Sequence, residues 1–497
     1  MENKFIIGTS RTNGADNLLI ALSDFEGNLE KWDKFFDIPL PESFVYIKEG
    51  LYISVMNKEH TDEIINKIKK NLQEFIQRVL ENFYKDVEEF KRKINDLKNE
   101  EDLLNFHKLY TYLFKHYAIY IPLSRLVESA IIGLIKDKYH NLNEEEIFSL
   151  SIPENFEGTQ RKYKQELLKL TLELKKEGYV SIDKELSGNI KEAINNILLE
   201  FGWIKSYIDF KGPISFEETI EEINNLLPKN NLEEEYKRLI NKDEIRNRKE
   251  KIIKEHRVEH KDYYFEILSK MAEIKTKVQD DQAYLSYVGK GIYEKISSIF
   301  GISLEDLKWL SHYEIESLLE HQKYLYLGCI NDILLLIKKR KGGIKILPFG
   351  LKPMYTTDQD FINTLFKNKG IDTKKLFYED VEERNEVSGT IASRGKIIGK
   401  TVVILSLKDS YKFKTKKDEN LILVAHELTP DYTSLLEYVS GIVSDTGGIT
   451  SHTAIIAREL NKPCIVGTEI ATRIFKDGEL IEVDAINGFI RKVKDIT

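Results

Sequence analysis

Residues 445–460 read Asp-Thr-Gly-Gly-Ile-Thr-Ser-His-Thr-Ala-Ile-Ile-Ala-Arg-Glu-Leu, and this stretch decides the fold of the C-terminal part. The apolar spacing that follows His452 predicts a helix as far as Leu460, capped by Thr450 or Ser451. The two glycines before the helix allow a tight turn and the close approach of a bulky group to the backbone. Because the amino end of a helix carries unpaired amides and a partial positive charge, the stretch predicts a site for a phosphoryl group.

Short apolar runs flank this helix and alternate with turns. They are residues 401–405, 421–425, 441–444, 464–467 and 480–484. A second helix from Tyr432 to Tyr438 fits between two of these runs. Such an alternation of short strands with helices predicts a compact α/β domain over residues 387–497.

The part of the chain before this domain has a helical period. From residue 58 to about residue 320, apolar residues recur three and four positions apart among Lys and Glu, as they do from Ile64 to Leu80. This spacing is typical of amphipathic helices. Residues 58–351 are therefore predicted to form one mainly helical domain that ends in a β-hairpin near 332–348.

The remaining segments are an N-terminal segment and a linker. Residues 1–57 are less regular, but Phe44–Ile47 and Leu51–Val55 flank a Lys-Glu-Gly turn, which predicts a β-hairpin. Residues 352–386 are polar and show no sustained period, so they are predicted to be a linker. The predicted fold class is multidomain α plus α/β, with a large mainly helical domain followed by a small α/β domain.

Composition excludes several functional classes. A chain of 497 residues exceeds one hydrophobic core, so two or three domains are expected. Lys and Arg total 74 against 82 Asp and Glu, and this net charge of -8 gives no electrostatic case for nucleic acid. No basic N-terminal region with a long apolar run and no run of eighteen apolar residues occurs, so neither a leader nor a membrane partner is predicted. Cys329 and Cys464 lie in apolar surroundings, which indicates buried thiols in the reducing cytoplasm.

His452 is the candidate catalytic residue. The partial positive charge of the helix end favours a neutral imidazole, which is the nucleophilic form. Such an imidazole can take up a phosphoryl group as a phosphoramidate and pass it on, so that one difficult transfer becomes two displacements. The residues predicted to stabilise the phosphoryl group are Gly447, Gly448, Thr450 and Ser451.

Residues 447–467 resemble the phosphohistidine motif of the phosphoenolpyruvate-utilising enzymes, with His452 at the phosphorylated position. The resemblance extends to residues 389–395, 426–431 and 484–488. It implies a swivelling domain that carries a phosphoryl group on His452. The helical part is more weakly similar to the acceptor-binding region of the rifampin and phenylphosphate enzymes of the family, which implies that it binds a small-molecule acceptor.

Two parts of the family's full-length enzymes are expected to be missing. An ATP-grasp domain, which loads the histidine in the family, needs mixed strands and Gly-rich loops, whereas the available length is mostly helical. A barrel for pyruvate is not expected either, because the chain ends at Thr497, close to the last strand of the swivelling domain. Phenylphosphate synthase separates its ATP-binding part from the chain that carries the histidine. The resemblance therefore implies a separate ATP-grasp partner that binds ATP and Mg²⁺.

Some residues are candidates for supporting roles. In the family, the turn that holds Thr429 and Asp431 lies close to the histidine, although N-capping alone explains both. Arg458 lies about 120° round the helix from His452, so it is expected to brace the domain through an ion pair. In the helical part, cations and carboxylates that could steady a phosphoryl group or deprotonate an acceptor gather at Lys275, Lys277, Asp280 and Asp281. A solvated helix face explains this second group equally well.

Alternative readings remain open for the function and for the aromatic segments. A non-catalytic regulator could dock its swivelling domain on a kinase and transfer nothing. A zinc hydrolase is suggested by His256, Glu259 and His260, which fit the H-x-x-E-H pattern, although the surroundings are charged and no third ligand is evident. No metal is therefore predicted on this chain. The aromatic segments 110–120 and 201–210 are expected to be core rather than a pocket for an aromatic acceptor.

Overall fold

A computed structural model gives the fold of the chain in two compact units, which are Met1–Ala130 with Ile292–Thr497, and Ile131–Gly291. The residues that the structure describes are 5–10, 31–36, 43–48, 51–152, 158–183, 186–206, 212–241, 243–259, 262–321, 327–341, 344–349, 352–356, 385–404, 420–426, 428, 436, 439–448, 451–468 and 470–493.

Helices make up most of the described chain between residues 58 and 341, as predicted. In chain order they are α1 (Lys58–Lys70), α2 (Leu72–Lys98), α3 (Leu103–Ala118), α4 (Tyr120–Lys138), α5 (Glu144–Ser151), α6 (Thr159–Lys176), α7 (Gly188–Phe201), α8 (Phe216–Leu226), α9 (Leu232–Ile240), α10 (Asp243–His256), α11 (Tyr263–Phe300), α12 (Leu304–Leu307), α13 (His312–Glu320) and α14 (Leu327–Lys341). The structure divides these helices between two units, whereas the sequence predicted a single helical domain.

Apolar spacing and capping residues explain where these helices form. Along α2 the buried side chains recur three and four residues apart, from Phe75 to Leu97. Asp102 caps α3, because its side chain accepts a hydrogen bond from the amide of Asn105 at 2.9 Å. Reciprocal side-chain and backbone hydrogen bonds between Ser311 and Glu314 begin α13 in the same way.

The aromatic residues of α3 and α4 belong mostly to the core, as expected, although Tyr112 is 40% exposed. Tyr110, Tyr117 and Tyr120 are fully buried. In the second unit, Phe201 lies in the core formed by α6 to α9, together with Leu167 and other apolar residues. Core packing is therefore confirmed for these side chains, whereas residues 207–210 lie outside the described part.

The α3 and α4 helices form the one described stretch, Leu103–Lys138, that is long and apolar enough to cross a membrane. The sequence contains no uninterrupted run of eighteen apolar residues, and no membrane partner was predicted from it. In the protein, 61% of its apolar window is buried, which is consistent with the core of a soluble protein.

Five antiparallel strands form a sheet from two distant parts of the chain. They are β1 (Phe5–Ser10), β2 (Ser43–Lys48), β3 (Leu51–Asn57), β4 (Ile344–Phe349) and β5 (Lys352–Thr356), in the order β1-β3-β2-β4-β5. The predicted N-terminal hairpin is the β2–β3 pair, with Phe44 opposite Val55. The pairing of β2 with β4, which sets Val45 opposite Ile346, was not predicted.

The hairpin predicted near 332–348 is wrong, because residues 327–341 are the helix α14. An apolar run of this length fits a strand or a helix equally well, and tertiary contacts decide between them. The guanidinium of Arg340, which is 1% exposed, donates to both carboxylate oxygens of Glu314 at 2.7 Å and to the carbonyl oxygen of Trp309 at 2.8 Å. This buried arginine fixes α14 against the start of α13.

The predicted linker is also shorter than residues 352–386. Its first part belongs to β5, and its last residue pairs with the C-terminal sheet, where Glu386 lies opposite Arg491. Residues 357–384 lie outside the described part of the chain.

The C-terminal domain is an α/β sheet, as predicted. Its strands are β6 (Glu386–Ser388), β7 (Thr390–Ser393), β8 (Lys396–Ile404), β9 (Leu421–Ala425), β10 (Gly441–Ser444), β11 (Cys464–Val466), β12 (Leu480–Asp484) and β13 (Phe489–Lys492), in the order β6-β13-β12-β8-β9-β10-β11-β7. Strands β8 to β11 are parallel, and the flanking pairs are antiparallel. The described helices of this domain are α15 (His452–Glu459) and α16 (Ala471–Ile474).

The two faces of this sheet bury alternate residues of each strand. On β9, Leu421 and Leu423 pack in the cluster that contains Ala454 of α15, whereas Ile422 and Val424 pack in the cluster that contains Ala471 of α16. A strand that is buried on both faces reads as a continuous apolar run, which is the pattern that predicted it. The predicted helix from Tyr432 to Tyr438 lies mostly outside the described residues.

A buried ion pair joins the N-terminal segment to α2 and α3. Lys31, which is 9% exposed, donates to Oδ2 of Asp86 at 2.7 Å and to the carbonyl oxygen of His116 at 2.5 Å. Although burial opposes ionisation, hydrogen bonds from His116, Lys31 and Tyr120 hold the pKa of Asp86 well below its usual range. The Lys31 side chain is therefore required to compensate a buried carboxylate.

Replacing Lys31 by methionine is expected to lower the free energy of unfolding by about 3 kcal/mol at pH 7, because the carboxylate of Asp86 would stay buried without its cation. Since the folded-state pKa of Asp86 is depressed, its contribution is complete above about pH 4 and is lost as the pH falls further. Thermal unfolding from pH 7 to pH 3 measures both effects. Lys34→Met is the control, because Lys34 is exposed. Equal stability of the two variants at pH 7 would contradict this account.

Candidate functional site

The candidate site lies at the edge of the sheet where the parallel strands end. Strand β9 ends at Ala425 and β10 ends at Ser444, side by side in register. The loop after β10 leads directly into α15, which begins at His452. Ligand sites in open α/β sheets lie at this carboxyl edge, where the connecting loops meet. The fold thus brings the predicted nucleophile to the end of the sheet where ligands bind.

Two glycines in this loop differ in what surrounds them. Gly447 has a φ of +100°, and a Cβ atom on it would lie 2.8 Å from the hydroxyl oxygen of Ser451. A Cβ atom on Gly448 would meet no described atom within 4 Å. Gly447 is therefore required by the turn itself, whereas no described atom occupies the space beside Gly448.

Ser451 is the cap of α15. Its side-chain oxygen accepts from the amide of Ala454 at 3.3 Å, and its own amide donates to the carbonyl oxygen of Gly448 at 3.0 Å. The cap satisfies one amide of the first turn, and His452 is the first helical residue. The predicted capping role of Ser451 is confirmed, whereas its contact with a phosphoryl group stays a prediction.

The buried carboxylate of Asp445 anchors the start of the loop between β10 and α15. Asp445 is 2% exposed, and its Oδ1 accepts from the hydroxyl of Thr468 at 3.0 Å and from the amide of Thr472 at 3.1 Å. Its Oδ2 accepts from the hydroxyl of Thr472 and lies 3.3 Å from Nδ1 of His426. This carboxylate therefore connects the ends of three strands at the candidate site.

His426 follows β9 and contacts the same loop through its backbone. Its carbonyl oxygen accepts from the amide of Thr446 at 2.8 Å and from the hydroxyl of Thr446 at 3.0 Å. The hydroxyl of Ser444 lies 3.2 Å from the same oxygen. These contacts fix the entry to the glycine pair.

The sequence analysis gave no role to His426, Asp445, Thr468 or Thr472. Their place in the site can be predicted only once the order of the strands in the sheet is known, because all four follow the carboxyl ends of neighbouring parallel strands. Spacing along the chain does not show which strands are neighbours.

The structure describes only part of the predicted site. Thr429, Asp431 and Thr450 lie outside the described residues, as does the side chain of His452. Arg458 is half-buried in the last turn of α15, and the ion pair predicted for it stays a prediction. Cys464, beneath this helix, is a buried thiol as predicted, and burial raises its pKa although the charge of Arg458 opposes the change.

The second predicted group lies on α11 in the other unit. The hydroxyl of Thr159 donates to Oδ2 of Asp280 at 2.5 Å, and Lys277 forms an ion pair with Asp281. Burial raises the pKa of Asp280 to about 6, against the hydrogen bond from Thr159. Lys275 lies on the same helix, about one and a half turns before Asp280 and Asp281. Asp280 is thus a half-buried carboxylate whose pKa is raised by its surroundings.

The zinc-hydrolase hypothesis is wrong. It requires His256, Glu259 and His260 on one helix, but α10 ends at His256, and Arg257 has a φ of +55°. Nε2 of His256 lies 3.1 Å from Oε1 of Glu146, and the carboxylate of Glu259 pairs with Lys138 at 2.9 Å. The two side chains therefore have separate partners. His260 lies outside the described residues.

One described cluster brings potential metal ligands together. Atoms of Asp86, Glu89 and His116 lie within 4.8 Å of one another. Nζ of Lys31 bonds Asp86 and lies 3.2 Å from Nδ1 of His116. Because an ammonium can only donate, Nδ1 accepts and the neutral ring keeps its hydrogen on Nε2, which leaves no lone pair for a metal. This cluster does not fit a Mg²⁺ site, since Mg²⁺ prefers oxygen ligands.

The glycine pair gives a matched test of the loop. Gly447→Ala is expected to destabilise the domain by about 1–3 kcal/mol, because the new methyl group would displace Ser451 from its capping position. Gly448→Ala is expected to leave the melting temperature unchanged but to lower phosphoryl loading about 10- to 100-fold, because the methyl group would enter the open space. Thermal unfolding and a loading assay separate the two effects. Full loading of Gly448→Ala would show that this space is not used.

Comparisons with known proteins match the same part of the chain. A family model described as the mobile domain of PEP-utilising enzymes matches residues 417–488. Over 137 residues the chain is 36% identical to a probable phosphoenolpyruvate synthase of Archaeoglobus fulgidus, an alignment that covers 28% of this chain and 18% of that protein. It is 28% identical over 188 residues to rifampicin phosphotransferase of Bacillus cereus, covering 38% and 19% of the two chains.

A third relative matches a shorter segment more closely. The chain is 52% identical over 73 residues to the phosphoenolpyruvate-protein phosphotransferase of Latilactobacillus sakei, covering 14% of this chain and 13% of that protein. The chain thus spans less than a fifth of the length of each of these relatives. The match over residues 417–488, which contain His452, shows that this part of the C-terminal domain is similar to the mobile domain of the phosphoenolpyruvate-utilising enzymes.

Proposed function

We propose that this chain is a phosphotransferase component that carries a phosphoryl group on His452 and delivers it to a small-molecule acceptor bound by its helical part. The observation that supports this most is the start of α15 at His452, which follows a tight glycine turn where no described atom lies within 4 Å of a Cβ atom placed on Gly448. The family of the C-terminal domain, whose relatives include phosphotransferases, supports the same reaction class.

The reaction consists of two displacements. In the first, a lone pair of a neutral His452 ring nitrogen attacks phosphorus, a P–N bond forms, and the donor oxygen leaves with the electrons of the P–O bond. In the second, an acceptor hydroxyl attacks phosphorus, the P–N bond breaks, and the ring nitrogen regains its lone pair. The hydroxyl proton leaves to a base. The chain must therefore supply an anion site for the first step and a base for the second.

The start of α15 has the properties that the first step needs. A helix of eight residues places the amides and partial positive charge of its first turn at the end of the glycine loop. Hydrogen bonds of the buried Asp445 and of the Ser451 cap anchor the two described ends of this loop. A fixed anion site reduces the reorganisation needed when the phosphoryl group arrives. Gly447, Gly448, Thr450 and Ser451 are the proposed phosphoryl-stabilising residues, with Thr429, Asp431 and Arg458 in support.

We propose that a separate ATP-grasp protein or subunit loads His452 and binds the ATP and Mg²⁺. The described helices of residues 58–341 support this arrangement, because they lack the mixed strands that an ATP-grasp domain needs. The cation would screen the charge of the nucleotide phosphates. The reaction is proposed to take place in the cytoplasm and without nucleic acid, for which the net charge of -8 gives no electrostatic case.

Asp280 is the proposed base for the acceptor hydroxyl. A carboxyl group with a pKa of about 6 is largely ionised at pH 8, yet it accepts a proton more readily than an ordinary aspartate. Lys277 and Lys275 lie within two turns of it on α11 and would steady the arriving phosphoryl group, with Asp281 holding Lys277. These proposed roles rest on the charges of the side chains and on their spacing along α11.

Replacing Asp280 by asparagine is expected to lower acceptor turnover at least about 100-fold while His452 is loaded at the normal rate. The same change is expected to raise stability at pH 8 by about 1–2 kcal/mol, because ionising a group with a raised folded-state pKa costs stability as the pH rises from about 4 to 6. Single-turnover transfer and thermal unfolding measure the two effects. Normal turnover by this variant would remove Asp280 from the mechanism.

Intact-mass analysis tests the proposed function. The chain is incubated at alkaline pH with Mg-ATP or phosphoenolpyruvate, with and without a candidate ATP-grasp protein, and is weighed before and after acid treatment. We expect a gain of one phosphoryl group that acid removes, and the gain should require the partner. No gain with any donor or partner would overturn the proposal in favour of a regulatory protein that docks without transfer.

A further inference from the structure

One histidine beneath the loop that leads to His452 is held by the buried carboxylate. His426 is 6% exposed, and its Nδ1 lies 3.3 Å from Oδ2 of Asp445. Because a carboxylate only accepts, Nδ1 carries the hydrogen in this contact. In the neutral ring Nε2 is then an acceptor, and it is buried with no hydrogen-bond partner among the residues that the structure describes. A buried acceptor without a partner lowers the stability of the folded state. Nε2 of His426 is therefore a candidate for a functional role.

The position of this histidine links it to the loop. Its carbonyl oxygen holds both the amide and the hydroxyl of Thr446, the residue directly before the glycine pair. Its side chain holds Asp445, the residue before Thr446. A change in the charge of His426 is therefore applied to two consecutive residues of the loop.

The charges around His426 explain why its protonation would stabilise the loaded site. Asp445 is the charged group that contacts His426 among the described residues, and the other partners of that carboxylate are the uncharged Thr468 and Thr472. A phosphoryl group adds about two negative charges at neutral pH. A buried carboxylate so close to the loop opposes the arrival of those charges.

We propose that His426 is a positioning residue of the carrier site, whose Nδ1–H holds Asp445 and whose Nε2 takes up a proton from water when a phosphoryl group joins His452. The resulting imidazolium pairs with Asp445, so that the carboxylate beneath the loaded loop is neutralised. His426 forms no bond to phosphorus and acts only through Asp445 and Thr446. This inference rests on the proposed function, because it needs His452 as the carrier.

The first experiment loads His452 without any natural donor. Potassium phosphoramidate transfers its phosphoryl group to an imidazole nitrogen, and ammonia leaves as the new P–N bond forms. The chain, with ¹⁵N-labelled histidine, is treated at pH 8 and compared with His452→Asn treated in the same way. We expect Nε2 of His426 to change from an unprotonated to a protonated ¹⁵N signal only when His452 is present. An Nε2 that keeps one protonation state throughout would overturn the inference.

Two substitutions separate the two ring nitrogens. His426→Asn keeps an N–H near the position of Nδ1 and removes Nε2, whereas His426→Gln keeps nitrogen near Nε2 and removes the donor to Asp445. We expect His426→Asn to melt like the wild type but to react with phosphoramidate about tenfold more slowly at position 452. We expect His426→Gln to melt at a lower temperature. His140→Asn, an exposed position, is the control. A wild-type rate in His426→Asn would overturn the role of Nε2.

The results distinguish this inference from the proposed function. A chain that phosphoramidate loads with proton uptake at His426, but that no natural donor loads, keeps the inference and removes the proposed function. A chain that a natural donor loads while His426 stays neutral keeps the proposed function and removes the inference.

Discussion

Replacement of His452 by alanine is expected to abolish phosphoryl incorporation and all turnover of the acceptor. The side chain is the proposed covalent carrier, and water cannot form the P–N bond in its place because it has no nitrogen. Removing a covalent nucleophile in other enzymes costs several orders of magnitude, so a loss of at least about 10³-fold is expected. Intact mass and acceptor turnover are measured at alkaline pH, because a phosphoramidate is labile in acid.

The control for this substitution is His140→Ala. His140 is exposed, and its ring lies 3.0 Å from the carbonyl oxygen of Lys136 on its own helix. Its loss is expected to change neither incorporation nor stability by a measurable amount. Incorporation that survives in His452→Ala but is lost in the control would place the carrier on another histidine.

The second large effect is expected at Asp445. Asp445→Ala would leave the hydroxyl and the amide of Thr472 buried without their acceptor, whereas the hydroxyl of Thr468 would keep only the carbonyl oxygen of Ser444 at 3.2 Å. Each unsatisfied buried donor costs about 1–3 kcal/mol, so a loss of about 3–5 kcal/mol in the free energy of unfolding is expected. Loading of His452 is expected to fall as well, because the loop loses its anchor. Urea unfolding monitored in the C-terminal domain measures the first effect.

Glu386→Ala is the matched control for Asp445. Glu386 lies at the edge of the same sheet and is exposed, so its truncation is expected to change stability by less than about 0.5 kcal/mol. If Asp445→Ala were no less stable than this control, the hydrogen bonds at the carboxyl edge would not hold the loop.

The sequence was most informative where burial and local chemistry agree. Strands β9 and β10 are buried on both faces, and their short apolar runs were predicted within one residue of the observed bounds. The start of α15 was also predicted, because a serine followed by a helical apolar pattern is a local signal for a cap. The position of His452 therefore needed no knowledge of tertiary structure.

The sequence was least informative where distant residues determine structure. The run that α14 contains fits a strand by composition, and only the bonds from Arg340 to Glu314 show why it is helical. Likewise, β4 joins β2 across almost the whole helical part. His426 and Asp445 became part of the site only because β9 and β10 are neighbours in the sheet. Each of these features depends on a pairing that periodicity does not encode.

The zinc-hydrolase hypothesis shows that a short motif alone does not predict a metal site. The residues between His256 and His260 include Arg257 in the left-handed region, which no sequence pattern indicated. A motif that requires two ligands on one helix fails once the helix ends between them. The longer phosphohistidine motif was more reliable, because its glycines, cap and helix all appear in the order that its chemistry needs.

The central claim is tested most directly by ³¹P NMR of the chain with ¹⁵N-labelled histidine after loading by a natural donor. We predict a single phosphoramidate signal that is coupled to a ring nitrogen of His452, is absent from His452→Ala, and disappears in acid or on addition of the acceptor. A phosphate-ester signal that survives acid, or a phosphoramidate signal that persists in His452→Ala, would contradict the account.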